Sequence, residues 1–383
     1  MKRLFLFVLV FLGFTILLSA QKSKVFGVFQ LIEKEKYEEA KGIIEDAIKE
    51  NKTRKWPRTW YARGIICQNA YRKGIKNDDK DLYELYPNQL YVAFSSFERA
   101  RNLDKRGRYD KLLAPKFVLL ANDFRESGEK HFKDEEYEEA LRAYQYALRI
   151  NQSSILSVPL DTNLLYNAAL SAYKSKKWDE AADYLTELNE INYSSNVPHL
   201  MFAMYIKQSD TTSAQKVLLE GIKRYEDNED LVLLLVDLLY KKENTEKAIK
   251  ILNDAFSKDS SNYLFPYTKG LLHQKMEAYE KAIRAYKNAL TLPSDTLKLY
   301  TNIGTCYYNI GAEIEEKART ISNNNIYRKE KEKSSEAFES ALKWYEKAYK
   351  IDPDNQETVM KLYQLYKILD KEEKLKTLKF KPE

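Results

Sequence analysis

Small and large apolar residues recur along this chain at a fixed long interval. Ala214, Ala248 and Ala282 stand 34 residues apart; four positions after each comes Leu218, Leu252 or Tyr286, and seven after each comes Gly221, Ala255 or Ala289. Tyr205, Leu239, His273 and Tyr307 keep the same step, as do Gly270 and Gly304. Spacings of four and seven place residues on one face of a helix. Two antiparallel helices of about three to four turns, with their connections, fill about 34 residues. Small residues are required where two helices cross closely, and a large one fills the space beside them. The pattern therefore predicts helix pairs, stacked because a single pair cannot bury its own apolar faces.

The same register appears outside this central run. Tyr37-Glu38-Glu39-Ala40 with Ile44 and Ala47, Tyr137-Glu138-Glu139-Ala140 with Tyr144 and Ala147, Trp178-Asp179-Glu180-Ala181 and Tyr279-Glu280-Lys281-Ala282 all share it. Tyr300-Thr301-Asn302-Ile303-Gly304 with Tyr307 opens a further copy, which closes on Ala341, Tyr345, Ala348 and Asp352-Pro353. In these motifs the chain resembles the tetratricopeptide repeat family. The resemblance extends over essentially everything after residue 20, in eight copies followed by a capping helix near Thr358–Leu369. It implies an all-α fold, a right-handed superhelical solenoid of antiparallel helix pairs, in one array over residues 21–383. The carboxylate pairs at the start of each second helix, such as Glu38-Glu39 and Asp179-Glu180, suit the positive end of the helix dipole and need no catalytic role.

Two copies are lengthened. Gly128 to Ala140 and Gly270 to Ala282 span 12 positions, whereas Gly64 to Ala93 spans 29 and Gly304 to Ala341 spans 37. The extra residues lie near 76–90 and 315–335. The charged flanks of the second insertion predict a projecting hairpin with its polar tip at Asn323-Asn324-Asn325. Insertions in repeat proteins collect on one face, often a binding face, although a spacer would read the same way.

Composition narrows the function. The 63 basic and 57 acidic residues interleave, as in Arg328-Lys329-Glu330-Lys331-Glu332-Lys333, so the net charge of +6 forms no one-signed stripe for nucleic acid. Residues 1–20 read as a secretory signal, with Lys2-Arg3, an apolar stretch from Leu4 to Leu18, and Ser19-Ala20 before Gln21. That segment is either cleaved or retained as an anchor, and the protein is expected in the periplasm or at the surface of a bacterial cell. Cys67 and Cys306 fall in apolar helical stretches and are expected as two buried thiols. His131 and His273 occupy the slot held elsewhere by Tyr205 and Tyr307, which predicts packing. No phosphate-binding glycine loop, G-x-S-x-G or H-E-x-x-H occurs. No catalytic residue, cofactor or metal is therefore assigned.

In tetratricopeptide arrays the first helices line a concave channel that holds a partner's peptide or helix. The resemblance carries that role to Tyr61, Arg125, Phe132, Tyr166, Tyr173, His199, Tyr240, Tyr267 and Tyr308. Beside them run Lys133, Lys174, Lys207, Lys241 and Lys275, in the same slot of five successive copies. Tyrosine offers a large contact area with a polar tip at small entropic cost. The lysines would favour an acidic segment or a C-terminal carboxylate. A structural reading competes, because this slot ends the first helix, where a cation complements the dipole. The carboxylate-clamp arrangement of chaperone-binding repeats is not met: of Arg125, Glu129, Asn167, Asn196 and Leu200 at its places, only Asn167 fits. The reading that results is a protein-binding scaffold of the cell envelope. The alternative is a glycan-binding accessory protein, which tyrosines gathered in one patch beside acidic and amide groups would favour.

Overall fold

The computed structural model describes residues 22–156 and 158–378; the leading segment 1–20 lies outside them. All regular structure among these residues is helical. The first unit, up to Val197, contains α1 (22–33), α2 (Tyr37–Lys49), α3 (Pro57–Asn77), α4 (Lys80–Tyr83), α5 (Gln89–Leu103), α6 (Asp110–Lys133), α7 (Tyr137–Asn151), α8 (Thr162–Lys174) and α9 (Trp178–Glu190). The second unit, from Pro198, takes in nearly all of α10 (Asn196–Lys207), then α11 (Thr211–Arg224), α12 (Glu229–Lys241), α13 (Thr245–Lys258), α14 (Leu264–Lys275) and α15 (Tyr279–Ala289). It continues through α16 (Thr296–Ala318), α17 (Asn324–Ile351), α18 (Gln356–Ile368) and α19 (Glu372–Thr377). The helices form antiparallel pairs whose second members carry the fully buried alanines Ala40, Ala93, Ala140, Ala181, Ala214, Ala248, Ala282 and Ala341. The expected capping helix is α18, and α19 folds back on it as a shortened further pair.

One turn closes every compact pair. Glu35, Glu135, Lys176, Ser209, Glu243, Glu277 and Asp370 all adopt φ between 52° and 61°. The next residue's N–H then donates to a carbonyl five positions back, as from Glu136 to His131 at 2.8 Å and from Ala278 to His273 at 2.9 Å. This is a Schellman closure, which satisfies carbonyls left over at the helix end. Here it is made by residues that carry a Cβ, for which the left-handed region costs about 1–2 kcal/mol.

Side-chain size sets how closely the helices of a pair cross. A Cβ added at Gly64, Gly128, Gly270 or Gly304 would come within 3.0 Å of the ring of Phe97, Tyr144, Tyr286 or Tyr345 respectively. Where the second helix offers an aliphatic residue instead (Ile44, Leu185 or Leu252), the first helix presents buried Val28, Ala169 or Val236. The exception is Phe202, partly buried opposite Leu218.

The two lengthened pairs differ from each other. In the first, α3 reaches 21 residues and the short α4 packs back onto it. A Cβ at Gly74 would strike the backbone of Tyr83 and Asp79. Buried Gln89 accepts from the Tyr86 N–H at 2.9 Å and donates to the carbonyls of Cys67 at 2.9 Å and Leu82 at 3.0 Å. Lys41 Nζ donates to the Leu85 carbonyl at 2.7 Å, which ties the insertion to α2. Beneath it, Asp123 of α6 meets Gln68 at 3.4 Å and Arg72 at 3.5 Å. In the second, α16 of 23 residues and α17 of 28 run antiparallel to a turn at 319–323. Ser334 Oγ donates to the Gly311 carbonyl at 2.8 Å, Lys331 pairs with Glu315 at 2.9 Å, and the Asn323 side chain caps α17. Near the tip Ile326 and Tyr327 are exposed.

Candidate functional site

Each of the five register lysines is the last residue of its helix: Lys133 of α6, Lys174 of α8, Lys207 of α10, Lys241 of α12 and Lys275 of α14. All five are exposed, while Phe132, Tyr166, Tyr173, Tyr240 and Tyr267 are half-buried. The cations thus stand at the negative helix ends, and the rings beside them fill gaps between helices.

In the first unit these residues meet through aromatic partners that sequence reasoning missed. Phe132 packs edge-on against Tyr137 at 5.3 Å, and Lys174 of the next pair lies over the same Tyr137 ring at 5.8 Å. Tyr173 packs against Trp178 at 5.8 Å, one repeat on from the Phe132–Tyr137 contact. Tyr166 packs on Tyr193 at 5.4 Å, and burial raises its phenol pKa above the ordinary value. Tyr137 and Trp178 were readable as the first residues of the second helices, five positions after Phe132 and Tyr173. In the second unit Lys275 lies over the Tyr240 ring at 4.7 Å, which joins two candidates from successive pairs. Lys241 pairs with Asp237 at 2.7 Å, and Tyr267 lies 5.9 Å from Tyr286.

Other expected residues fall in different settings. His199 is exposed, and Tyr61 sits in an aromatic cluster with Phe29, Phe97 and Tyr109. Next to that cluster Arg58 lies over Phe26 at 4.0 Å and Phe29 at 5.0 Å. His273 is buried, and burial pushes its imidazole pKa down, helped by Lys269, Lys281 and Arg284. His131 departs from the packing role expected of it, for it is one-third exposed and pairs with Glu136. Cys67 and Cys306 are buried free thiols, each pushed up to about 12 by burial. Among the described residues no group of three or more His, Cys, Asp or Glu side chains could hold a metal ion, and no helix is long and apolar enough to cross a membrane.

Two of the concavities among the described residues bear on binding. One, of about 550 Å³, lies where the first insertion meets α6 and α7, with Tyr71, Tyr83 and Tyr91 beside Glu84, Asn88 and Glu139. Its Tyr91 ring is covered by Arg142 at 4.1 Å, and the same arginine lies 3.7 Å from Glu139. The other, of about 380 Å³, lies in the second unit between the connections that follow α11 and α13.

Residues 126–192 match a family model described as tetratricopeptide repeat, and residues 267–296 match a second with the same description. The chain carries tetratricopeptide repeats. It is similar to a BBSome complex member, BBS4, of Bos taurus, 20% identical over 239 residues that make up 62% of this chain and 45% of that protein. It is also similar to an Hsp70-Hsp90 organizing protein of Triticum aestivum, 23% identical over 252 residues, 61% of this chain and 41% of that one. The chain spans less than half the length of these two curated relatives. Among solved structures, a tetratricopeptide repeat protein from Bacteroides fragilis is 23% identical, with 65% of this chain and 98% of that chain covered and a TM-score of 0.35. The all-α tetratricopeptide architecture expected from the motifs is thus the fold of the chain.

Proposed function

We propose that this chain is a non-enzymatic scaffold of the bacterial cell envelope, whose tetratricopeptide first helices hold a segment of a partner protein of acidic character. One observation carries the reading: five first helices in register each end on an exposed lysine, and half-buried aromatic rings recur beside that slot. Within each unit the exposed lysines offer charge to steer an acidic segment, and the rings beside them offer surface to bury against it. The contacts within the row divide the lysines. Lys241 is already paired with Asp237, and Lys174 and Lys275 rest on neighbouring rings. Crosslinking in the native envelope followed by mass spectrometry should return one stable protein partner. Replacing Lys174, Lys207, Lys241 and Lys275 together by Glu should then abolish its capture with helicity unchanged. Raising salt from about 0.05 to about 0.5 M should weaken the wild-type complex, because the Debye length falls well below about 10 Å. Normal capture by the fourfold variant would reduce the lysines to helix-end partners. Mature protein beginning at Gln21 would support export with cleavage, and retention of residues 1–20 would make that segment an anchor.

A glycan-binding role has a separate observation in its favour, the tyrosines gathered beside Glu84, Asn88 and Glu139 in the first unit. Oligosaccharide binding that is lost in Tyr83→Ala and retained in the fourfold lysine variant would move the function there.

A further inference from the structure

The cavity of about 380 Å³ in the second unit is built by two successive copies of the same connection. Residues 225–228 join α11 to α12, and residues 259–263 join α13 to α14. Its floor is apolar, made by Ile222, Val232, Ile251, Ala255 and Phe265. Its rim carries Glu226, Asp227, Glu229, Asp254 and Asp259 against the single cation Lys258. The volume falls in the range of about 300–1,000 Å³ typical of ligand pockets.

Two bridges hold the walls. Lys258 Nζ pairs with Glu226 at 3.2 Å, and the Asn262 amide donates to Glu229. Asp259 accepts from the Ser261 N–H at 3.0 Å and hydroxyl at 2.6 Å, which keeps its carboxyl below the usual carboxylate range and ionised. Glu229 also serves the positive end of α12. Asp227 and Asp254 have neither duty: they make no side-chain hydrogen bond or ion pair among the described residues, and both are exposed on the rim. They share the rim with three further carboxylates, and Lys258 is the one cation among the lining residues. In a chain of net charge +6, this is a local reversal of sign over an apolar floor.

We propose that this cavity is a second recognition site, for a basic amphipathic segment of a partner protein. A bulky apolar side chain enters the floor, and lysines or arginines flanking it meet Asp227, Asp254 and the rest of the rim. The ligand carries the opposite charge from the one proposed for the lysine row, so the two sites select different segments and can be filled together.

The test uses the full chain and two fluorescein-labelled peptides, one alternating lysine and leucine, the other alternating glutamate and leucine, read by fluorescence anisotropy. The basic peptide should bind and the acidic one should not bind here. Asp227→Asn with Asp254→Asn should weaken the basic peptide about tenfold, an effect that fades as salt rises. Ala255→Trp should abolish binding by filling the floor, with circular dichroism confirming that the helices persist. Because Ala255→Trp could disturb the fold, the paired Asn variant carries the decision by itself. Basic-peptide binding unchanged in that variant, or acidic-peptide binding weakened by it as much as basic-peptide binding, would overturn the proposal. Loss of partner capture in the fourfold lysine variant with basic-peptide binding intact would separate this site from the lysine row.

Discussion

The two lengthened helix pairs received similar material and used it in opposite ways. The first insertion is folded against α2, α3 and α5 by a glycine, a buried amide and a lysine that reaches a main-chain carbonyl. The second continues the helices it interrupts, and its added turns pair mainly with each other. The difference lies in where the inserted backbone finds hydrogen-bond partners. A short irregular segment leaves N–H and C=O groups that must be met by other elements, and Gln89 meets two of them, the Tyr86 N–H and the Leu82 carbonyl. A helical hairpin satisfies its own backbone and needs only a narrow seam, here Gly311 under Phe338 and Ser334 against the Gly311 carbonyl. Charge content alone does not distinguish the cases, since both insertions are polar.

The largest expected effect puts a methyl group into each seam. Gly74→Ala meets main-chain atoms of Tyr83 and Asp79, which cannot step aside, and should cost about 2–3 kcal/mol. Gly311→Ala meets only the edge of the Phe338 ring, which can shift, and should cost about 1 kcal/mol. Urea unfolding followed by circular dichroism measures both. Equal costs would mean that the two insertions are held alike.

Next come the polar anchors. Gln89→Leu leaves the Tyr86 N–H without its acceptor and should cost about 2 kcal/mol, with faster amide exchange throughout α4. Ser334→Ala should cost about 1 kcal/mol, with faster exchange confined to the turns near Gly311. Exchange spreading over all of α16 and α17 would show that this hairpin depends on one hydroxyl.

A pH effect should follow in the first unit. Burial raises the Asp123 carboxyl to about 6, against the opposing pull of Arg72 and Gln68. The folded chain therefore binds this proton more tightly than the unfolded chain. Its contribution to stability is complete below the unfolded value of 3.8 and is lost as pH rises through about 6. Relative to wild type, Asp123→Asn should become more stable by about 1–2 kcal/mol between about pH 4.5 and pH 7.5, after allowance for the lost Arg72 contact. Parallel pH profiles for the two proteins would place the titration elsewhere.

The smallest effect concerns the compact pairs, the reference for both insertions. Glu277→Gly relieves a left-handed residue that carries a Cβ and should gain about 1 kcal/mol. A loss of stability would show that the Glu277 side chain contributes something the turn does not require.

Much of this architecture was legible in the residues. The alanine register falls on eight helices that stand second in their pairs, because small residues at crossings repeat as faithfully as the crossings themselves. Lys133, Lys174, Lys207, Lys241 and Lys275 were legible as helix ends for the same reason. The shared turn was not, because its left-handed position is filled by Glu, Lys, Ser and Asp where glycine is the usual sign. Gly74 could have hinted that backbone would approach α3, but Asp79 and Tyr83 were not legible as the atoms that do so. The acidic cavity was also hidden: its lining comes from two loops about one repeat apart, and an overall balance of charge averages their carboxylates away. His131 misled because its register matched buried His273, whereas its own surroundings leave it open to Glu136.

The pairing of glycine with an aromatic ring across four of the crossings also constrains how such a chain can diverge. Gly270→Val alone drives methyl groups into the Tyr286 ring, and Tyr286→Leu alone empties space and discards the hydroxyl's 2.7 Å bond to Gln274. Made together, the two changes recreate the combination of Val236 and Leu252 that already works one repeat upstream. The two solutions are thus separate peaks with a poorer intermediate on either route between them. Copies descended from one ancestral hairpin would stay on the peak they first reached unless both changes arrived nearly together. Co-occurrence at these two positions should therefore record the branching history of the repeats more faithfully than either position does alone.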